Sequence, residues 1–242
     1  MRVTGFALAI GLVLSCGLSV ASAAEGIDLL AGKDSPAKKG EAIAFLGDSI
    51  TQGGEGVNGY IWLIEQAFAK NLPEREVRII KAGISGHKVP DLQARLDRDV
   101  ISKKPTVVFI YIGINDVWHS ESGHGTPADK YESGLRDLIS RIEAAGAKVV
   151  LATPSVIGEK ANGTNKLDKM LDEYSDISRK VAKDTKVTLC DLHKAFGDYL
   201  AKNNPENKDR GVLTGDGVHL NQAGNKFVAD QASAAIAAAL KK

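Results

Sequence analysis

Short apolar runs alternate with longer segments of helical spacing along most of the chain. The apolar runs predict five strands, at residues 42–46, 77–81, 106–112, 148–152 and 187–190. Apolar residues at helical spacing predict helices at residues 60–70, 89–103, 128–145, 166–183 and 192–202. Asn221 is typical of a helix cap and predicts a last, alanine-rich helix that runs close to Leu240.

Strands that are apolar on both faces and separated by helices indicate a parallel sheet with helices on both sides. The sequence therefore predicts a single three-layer α/β/α domain over residues 41–242, and residues 24–40 are expected to form a polar lead-in. A parallel sheet of this kind binds its ligands at the carboxyl ends of its strands. Candidate functional residues are therefore sought where strands end.

The first 23 residues have the pattern of a secretory signal. Arg2 precedes an apolar run, and Ala21-Ser22-Ala23 gives a small-residue cleavage site, so we expect export to the periplasm or the medium. The run is too short and too soon interrupted for a stable membrane span. Lipoprotein processing at Cys16 is the alternative. If Cys16 is removed with the signal, Cys190 is the remaining cysteine and has no partner for an intrachain disulfide. Cys190 is expected to be buried.

Composition limits the classes of partner. The chain has 242 residues, enough for one domain with a sizeable core, and 25% of them are charged. The 31 basic and 30 acidic residues give a formal charge of +1. This balance provides no basic surface for nucleic acid and no polybasic membrane patch.

The segment GDSITQGGEGVNG follows the first predicted strand and allows two interpretations. Its second half fits G-x-G-x-x-G, which can bind the pyrophosphate of a dinucleotide. That site needs its first glycine directly after the strand and an acidic residue at the end of the second strand. Here Gly54 comes several residues late, and the second strand ends in Lys81. The glycines are instead expected to form a loop, and no cofactor is expected.

The first half of the segment places Ser49 at the end of a strand, as a nucleophile would require. A serine nucleophile needs a histidine base, an acid that orients it and donors for an oxyanion. Asp216 and His219 lie three residues apart in a glycine-containing loop before the last helix. Donors can come from two other strand ends, which carry the segments Ala82-Gly83-Ile84-Ser85-Gly86 and Gly113-Ile114-Asn115-Asp116.

These four segments, in this order over residues 42–240, resemble the SGNH (GDSL-type) serine hydrolases. The resemblance implies a flavodoxin-like fold with a parallel five-stranded sheet, and ester hydrolysis without a metal. It also implies that Ser49 is the nucleophile, His219 the base and Asp216 the residue that orients the base. The oxyanion would be bound by the N–H groups of Ser49 and Gly86 and by the side chain of Asn115. Many members have Asn where this chain has Lys81, a position without a catalytic role.

Other residues near these segments are expected to contact substrate or to support the loops. Asp48, Trp118 and His119 are expected to contact substrate, whereas Asp116 is expected to brace its loop. The spacing of His119 and His124 matches no standard metal-ligand set, so no metal is expected. No G-x-S-x-G segment occurs, which argues against an α/β-hydrolase elbow.

The resemblance leaves the ester itself open. Expected export, a near-neutral surface and the lack of a long apolar lid favour a short acyl group, such as acetyl, on a carbohydrate or other polar alcohol. A lysophospholipid or another lipid ester is the alternative substrate. A non-catalytic carbohydrate-binding protein is a further alternative, but such a protein would not need Ser49, Asp216, His219 and Asn115 together.

Overall fold

The computed structural model describes residues 25–242, so the predicted signal segment and Cys16 lie outside the described residues. Five strands are present there, namely β1 Ala42–Gly47, β2 Arg78–Gly83, β3 Val107–Tyr111, β4 Lys148–Ala152 and β5 Thr188–Cys190. They form one parallel sheet in the order β2-β1-β3-β4-β5. This is the flavodoxin-like order, so the predicted fold class is confirmed.

Helices cover both faces of the sheet. In the described part they are α1 Glu25–Ala31, α2 Ser49–Gly54, α3 Tyr60–Asn71, α4 Val89–Asp99, α5 Ile114–Trp118, α6 Ala128–Ala144, α7 Asp168–Thr185, α8 Leu192–Asn203 and α9 Gln222–Lys241. Helices α1, α3, α8 and α9 pack together on one face, and α4, α6 and α7 pack on the other. The two helical layers enclose the apolar core on either side of the sheet.

The central strands are buried because both of their faces are apolar. Every residue of β1 and β3 is buried, and the rings of Phe45 and Phe109 lie 5.7 Å apart between neighbouring strands. Strand β2 lies on one side of β1 and strand β3 on the other, so the direction in which strands are added reverses at β1. Gly47 pairs in register with Gly83 on β2 and with Tyr111 on β3. The segments after these three strands therefore emerge side by side at the switch point.

Residues 25–31 are part of the fold, although the sequence predicts only a polar lead-in there. Helix α1 packs on α9 and buries Leu30 and Ala31. The backbone N–H of Ile27 donates to the Asp230 carboxylate at 3.3 Å. Two turns are too short for helical periodicity to be read, and this is why the pattern does not reveal the helix.

Two further short helices replace expected loops at the carboxyl edge of the sheet. Helix α2 begins at Ser49 and includes the first glycines of the expected loop, and α5 includes Asn115. The end of β2 approaches α2 so closely that a Cβ atom on Gly83 would lie 2.2 Å from the Gln52 backbone nitrogen. Only glycine fits this approach.

Candidate active site

Ser49, His219 and Asp216 form a continuous chain of hydrogen bonds. Ser49 Oγ lies 2.9 Å from His219 Nε2, and His219 Nδ1 lies 2.7 Å from Asp216 Oδ2. The serine follows β1 and the other two residues precede α9, so the fold joins residues 170 positions apart. A carboxylate on Nδ1 holds the tautomer in which Nε2 can accept the serine proton.

The carboxylate of Asp216 is held by its own loop. Its Oδ1 accepts the backbone N–H groups of Val218 at 2.9 Å and of His219 at 2.7 Å. Burial would raise the pKa of Asp216, but the hydrogen bonds from the His219 ring and from these two N–H groups outweigh it and lower the pKa to about 2. The carboxylate is therefore ionised at neutral pH and can stabilise a histidine cation.

Asp48 lies beneath the serine and does not face the cleft. Its side chain is almost fully buried, and its Oδ1 accepts the Ile50 N–H at 2.9 Å, so it caps helix α2. Burial raises the pKa of this carboxyl to about 7, and the Asp116 charge adds to the effect. The structure therefore places Asp48 under the nucleophile, where it caps α2.

The glycine-containing segment after β2 keeps one N–H group free. The N–H groups of Gly83, Ile84 and Ser85 donate respectively to the Glu55 side chain, the Gly47 carbonyl and the Gln52 side chain. Within the described residues, the Gly86 N–H has no acceptor, and its φ of +79° is a conformation that favours glycine. The N–H of Ser49, at the first position of α2, likewise has none. Both groups can therefore donate to a ligand.

Asn115 and Asp116 follow β3 at the neighbouring strand end, and both side chains are buried. Asn115 Nδ2 donates one hydrogen bond to the His87 carbonyl at 3.1 Å, which leaves its second N–H available. Asp116 Oδ1 accepts the Val89 N–H at 3.1 Å. This contact ties the loop after β3 to the first residue of α4, as expected of a brace.

Trp118 borders the proposed catalytic histidine. The Trp118 and His219 rings lie 6.3 Å apart in an edge-to-face arrangement, and the indole is half-buried. The half-buried ring of His119 lies next to it, with centroids 6.5 Å apart. Burial, with the positive charge of Lys88, lowers the pKa of His119. Trp118 therefore lies beside the triad, and His119 lies beside Trp118.

Two buried charged residues support these segments and were not predicted from the sequence. Arg95 on α4 donates to the backbone at the ends of β1 and β2, and Glu159, in the loop after β4, accepts hydrogen bonds from the loop before Asp216. Arg95 interrupts the apolar face formed by Leu92 and Leu96, a pattern that could have revealed a buried arginine. Glu159 lies outside any periodic segment and gives no such signal.

A cavity of about 670 Å³ lies to one side of the triad, between the loop after β4 and helices α7 and α8. His193 lines it and lies 2.7 Å from Asp172 Oδ1 and 2.6 Å from the Ser155 carbonyl. None of Ser49, Asp216 and His219 lines this cavity. The cavity is therefore separate from the candidate site.

Residues 25–242 contain no group of three or more His, Cys, Asp or Glu side chains arranged to hold a metal ion. Over the same range, no helix combines the length and the apolar character needed to cross a bilayer. Cys190 is buried, and burial raises the pKa of its thiol to about 12.

The parallel α/β/α sheet, with a histidine-bonded serine at its carboxyl edge, has the arrangement of a serine hydrolase. The sequence matches the GDSL-like lipase/acylhydrolase family over residues 45–227, and the chain belongs to this family. The resemblance to SGNH hydrolases is thereby confirmed.

Three relatives illustrate the match. An acetylxylan esterase of Geobacillus stearothermophilus is 32% identical over 207 residues, which cover 78% of this chain and 91% of the relative. An isoamyl acetate-hydrolyzing esterase 1 homolog of Rattus norvegicus is 25% identical over 205 residues, 77% of each chain. The crystal structure of an acetyl xylan esterase named AlAXEase is 46% identical, with a TM-score of 0.76, and the match covers 79% of this chain and 97% of that one.

Proposed function

We propose that this protein is an exported serine esterase that removes short acyl groups, acetyl above all, from a carbohydrate or another polar alcohol. The observation that carries the mechanism is the unbroken hydrogen-bond chain from Ser49 through His219 to Asp216. A serine in this arrangement can be deprotonated as it attacks, whereas an isolated serine hydroxyl is a weak nucleophile.

The reaction proceeds through an acyl-enzyme. Ser49 Oγ attacks the ester carbonyl carbon while His219 Nε2 takes the hydroxyl proton, and a tetrahedral oxyanion forms. The bond from this carbon to the alcohol oxygen then breaks, and His219 gives its proton to the departing alcohol. Water, deprotonated by His219, then attacks the acyl carbon. The bond from this carbon to Ser49 Oγ breaks, His219 returns the proton to Oγ, and the carboxylic acid leaves.

Asp216 and three hydrogen-bond donors stabilise the charges that develop. Asp216 stays ionised and stabilises the His219 cation. The oxyanion is bound by the N–H groups of Ser49 and Gly86 and by the second N–H of Asn115. These groups belong to the segments after β1, β2 and β3, which emerge side by side in the sheet, and they have no other acceptor among the described residues.

A short acyl group on a carbohydrate is supported by three observations. The relatives reported above bear names that refer to acetate esters, two of them on xylan. The exposed large hydrophobic side chains in the described residues are Leu29 and Val57, which do not form an apolar surface for a long acyl chain. Trp118, beside His219, offers an aromatic face to a sugar ring.

The test is acid release by the mature protein from acetylated xylo-oligosaccharides and from p-nitrophenyl acetate, butyrate and octanoate. Ser49→Ala is expected to reduce kcat on every ester by about 10⁴-fold or more. Ser133→Ala, at an exposed position on α6, is the matched control and is expected to retain full activity. The proposed substrate requires activity to fall from acetate to octanoate; a rise would indicate a lipid ester.

Export is proposed from the sequence of residues 1–23 and has its own test. When the full-length gene is expressed, the protein from the medium or periplasm is expected to begin at or near residue 24. A mature N-terminus at a lipid-modified Cys16 would replace this proposal with a membrane-anchored form. Recovery of the uncleaved chain from the cytoplasm alone would contradict export.

A further inference from the structure

Arg95 joins the ends of two strands from beneath the candidate site. Its side chain is 4% exposed, and its Nη2 donates to the Gly47 carbonyl at 2.8 Å and to the Ala82 carbonyl at 3.0 Å. Gly47 is the last residue of β1, two positions before Ser49. Ala82 immediately precedes the segment that leads to Gly86. One guanidinium therefore holds the backbone from which two proposed oxyanion donors emerge.

The same guanidinium reaches the third donor through His87. Arg95 Nε donates to His87 Nδ1 at 3.0 Å, and the His87 carbonyl accepts the hydrogen bond from Asn115 Nδ2. Burial, together with the positive charge of Arg95, lowers the pKa of His87, so the ring is neutral and its Nδ1 can accept. The chain of contacts thus extends from α4 to the loop after β3.

The burial of Arg95 is not explained by an ion pair alone. Its carboxylate partner is Asp99, at 3.2 Å from Nη1, and Asp99 also binds the exposed Arg98 at 2.6 Å. Removing a guanidinium from water is costly, and one shared carboxylate at the edge compensates only in part. The remaining donors are directed at the strand ends and at His87, where a planar fork with several N–H groups fits better than a lysine.

We propose that Arg95 is a positioning residue that sets the geometry of the oxyanion hole. This inference rests on the proposed function, because it concerns the donors Ser49 N–H, Gly86 N–H and Asn115 Nδ2. Arg95 is buried and acts through the segments that carry these donors. Oxyanion donors stabilise the transition state only when they are held in place before the reaction. A small displacement of one catalytic group can lower the rate about 100-fold.

The first experiment compares Arg95→Lys and Arg95→Met with the unaltered protein. We expect kcat on p-nitrophenyl acetate to fall about 10- to 100-fold with KM changed less than about twofold, since transition-state binding is lost and ground-state binding is kept. Arg141→Met is the matched control, because Arg141 on α6 also donates to a backbone carbonyl, that of Gln93 on α4, but bonds to neither strand end nor to His87. It is expected to keep its kcat.

The second experiment separates positioning from a general loss of structure. Serine-reactive fluorophosphonate counts the competent sites, so that kcat is expressed per competent Ser49, and thermal unfolding reports the fold. If Arg95→Met does not fold, Arg95→Lys decides. An acetyl-mimicking boronate, which forms a tetrahedral adduct on Ser49, is expected to bind each folded Arg95 variant at least about 10-fold more weakly than the Arg141 control. A merely structural role would leave boronate affinity per competent site unchanged.

The third experiment is a double-mutant cycle between Arg95→Lys and Asn115→Ala. If Arg95 acts through the donors, its loss is expected to reduce kcat less in the Asn115→Ala background than in the unaltered protein. Unchanged kcat and boronate affinity in folded Arg95→Lys would overturn the inference while leaving the esterase proposal intact. Full activity in Ser49→Ala would overturn the proposed function itself, whatever the Arg95 variants show.

Discussion

The carboxylate of Glu159 accepts a hydrogen bond from the Thr214 hydroxyl at 2.8 Å, two residues before Asp216. The same carboxylate accepts three consecutive backbone N–H groups, those of Val212, Leu213 and Thr214. Glu159 is fully buried, and these four donors satisfy both of its carboxyl oxygens. A residue from the loop after β4 thereby holds the loop that carries the proposed acid and base.

Glu159→Gln is expected to destabilise the protein and to slow the reaction. Glutamine replaces one acceptor oxygen with an NH₂ group that faces a backbone N–H, so a buried donor loses its partner. We expect the free energy of unfolding to fall by about 2–4 kcal/mol. We also expect a lower kcat at temperatures where the variant is folded, because the Asp216 loop is less well held. Urea unfolding and ester hydrolysis measure the two effects.

Glu206→Gln is the control for this change, because Glu206 is exposed and pairs only with Lys208 at the surface. Its unfolding midpoint is expected to match that of the unaltered protein. If Glu159→Gln matched it too, the carboxylate would not be the anchor of the loop.

The main features of the fold could be predicted because they repeat. Each of the five strands is an apolar run, and the structure places each within one or two residues of its predicted bounds. The long helices followed from their spacing. Helices α1, α2 and α5 were missed because they are five to seven residues long, which is less than two full turns. Such short helices show no periodic spacing of apolar residues.

The residues of the candidate site also differ in how well the sequence predicts them. Ser49, Asn115 and His219 could be found because short motifs place them at strand ends or before a helix. The partners of Arg95 and Glu159 could not be predicted, since they are mainly backbone groups, whose positions depend on the folded chain. The buried position of Asp48 could not be predicted for a related reason: sequence alone does not say which way a side chain points at the start of a helix.

Asp216→Asn is expected to lower kcat by about 10⁴-fold while leaving the fold intact. The amide keeps an oxygen for the Val218 and His219 N–H groups, but its NH₂ group cannot accept from His219 Nδ1. The histidine then favours the tautomer that cannot take the serine proton. Asp209→Asn is the control, since Asp209 is an exposed aspartate in the same loop. Comparable kcat values for the two variants would remove Asp216 from the mechanism.

Trp118→Ala is expected to act on binding of the carbohydrate more than on the chemistry. The indole lies edge-to-face with His219 and is half-buried, so part of it is open to a ligand. We expect KM for acetylated xylo-oligosaccharides to rise about 10-fold, equivalent to about 1.4 kcal/mol of binding. KM for p-nitrophenyl acetate is expected to change less. Steady-state kinetics on both esters test this, and equal changes in the two KM values would contradict a sugar contact.

Asp48→Asn is expected to change how stability depends on pH. Burial raises the pKa of Asp48 from 3.8 to about 7, so between about pH 4 and pH 7 the folded protein keeps a proton that the unfolded chain has released. The free energy of unfolding therefore falls as pH rises through this window, by at most about 4 kcal/mol. Asparagine stays neutral and retains an oxygen for the Ile50 N–H, so this part of the decline is expected to disappear.

The measurement is urea unfolding of both proteins at pH 4, 6 and 8. The stability of Asp48→Asn relative to the unaltered protein is expected to increase from pH 4 to pH 8. Subtracting the two curves cancels the carboxyl groups that do not interact with Asp48. Asp116, whose charge adds to the Asp48 shift and whose own pKa burial raises to about 6, still contributes to the difference. A difference that stays constant over this range would mean that Asp48 ionises at the same pH in the folded and unfolded chains. The carboxyl under the nucleophile would then have to be in contact with water.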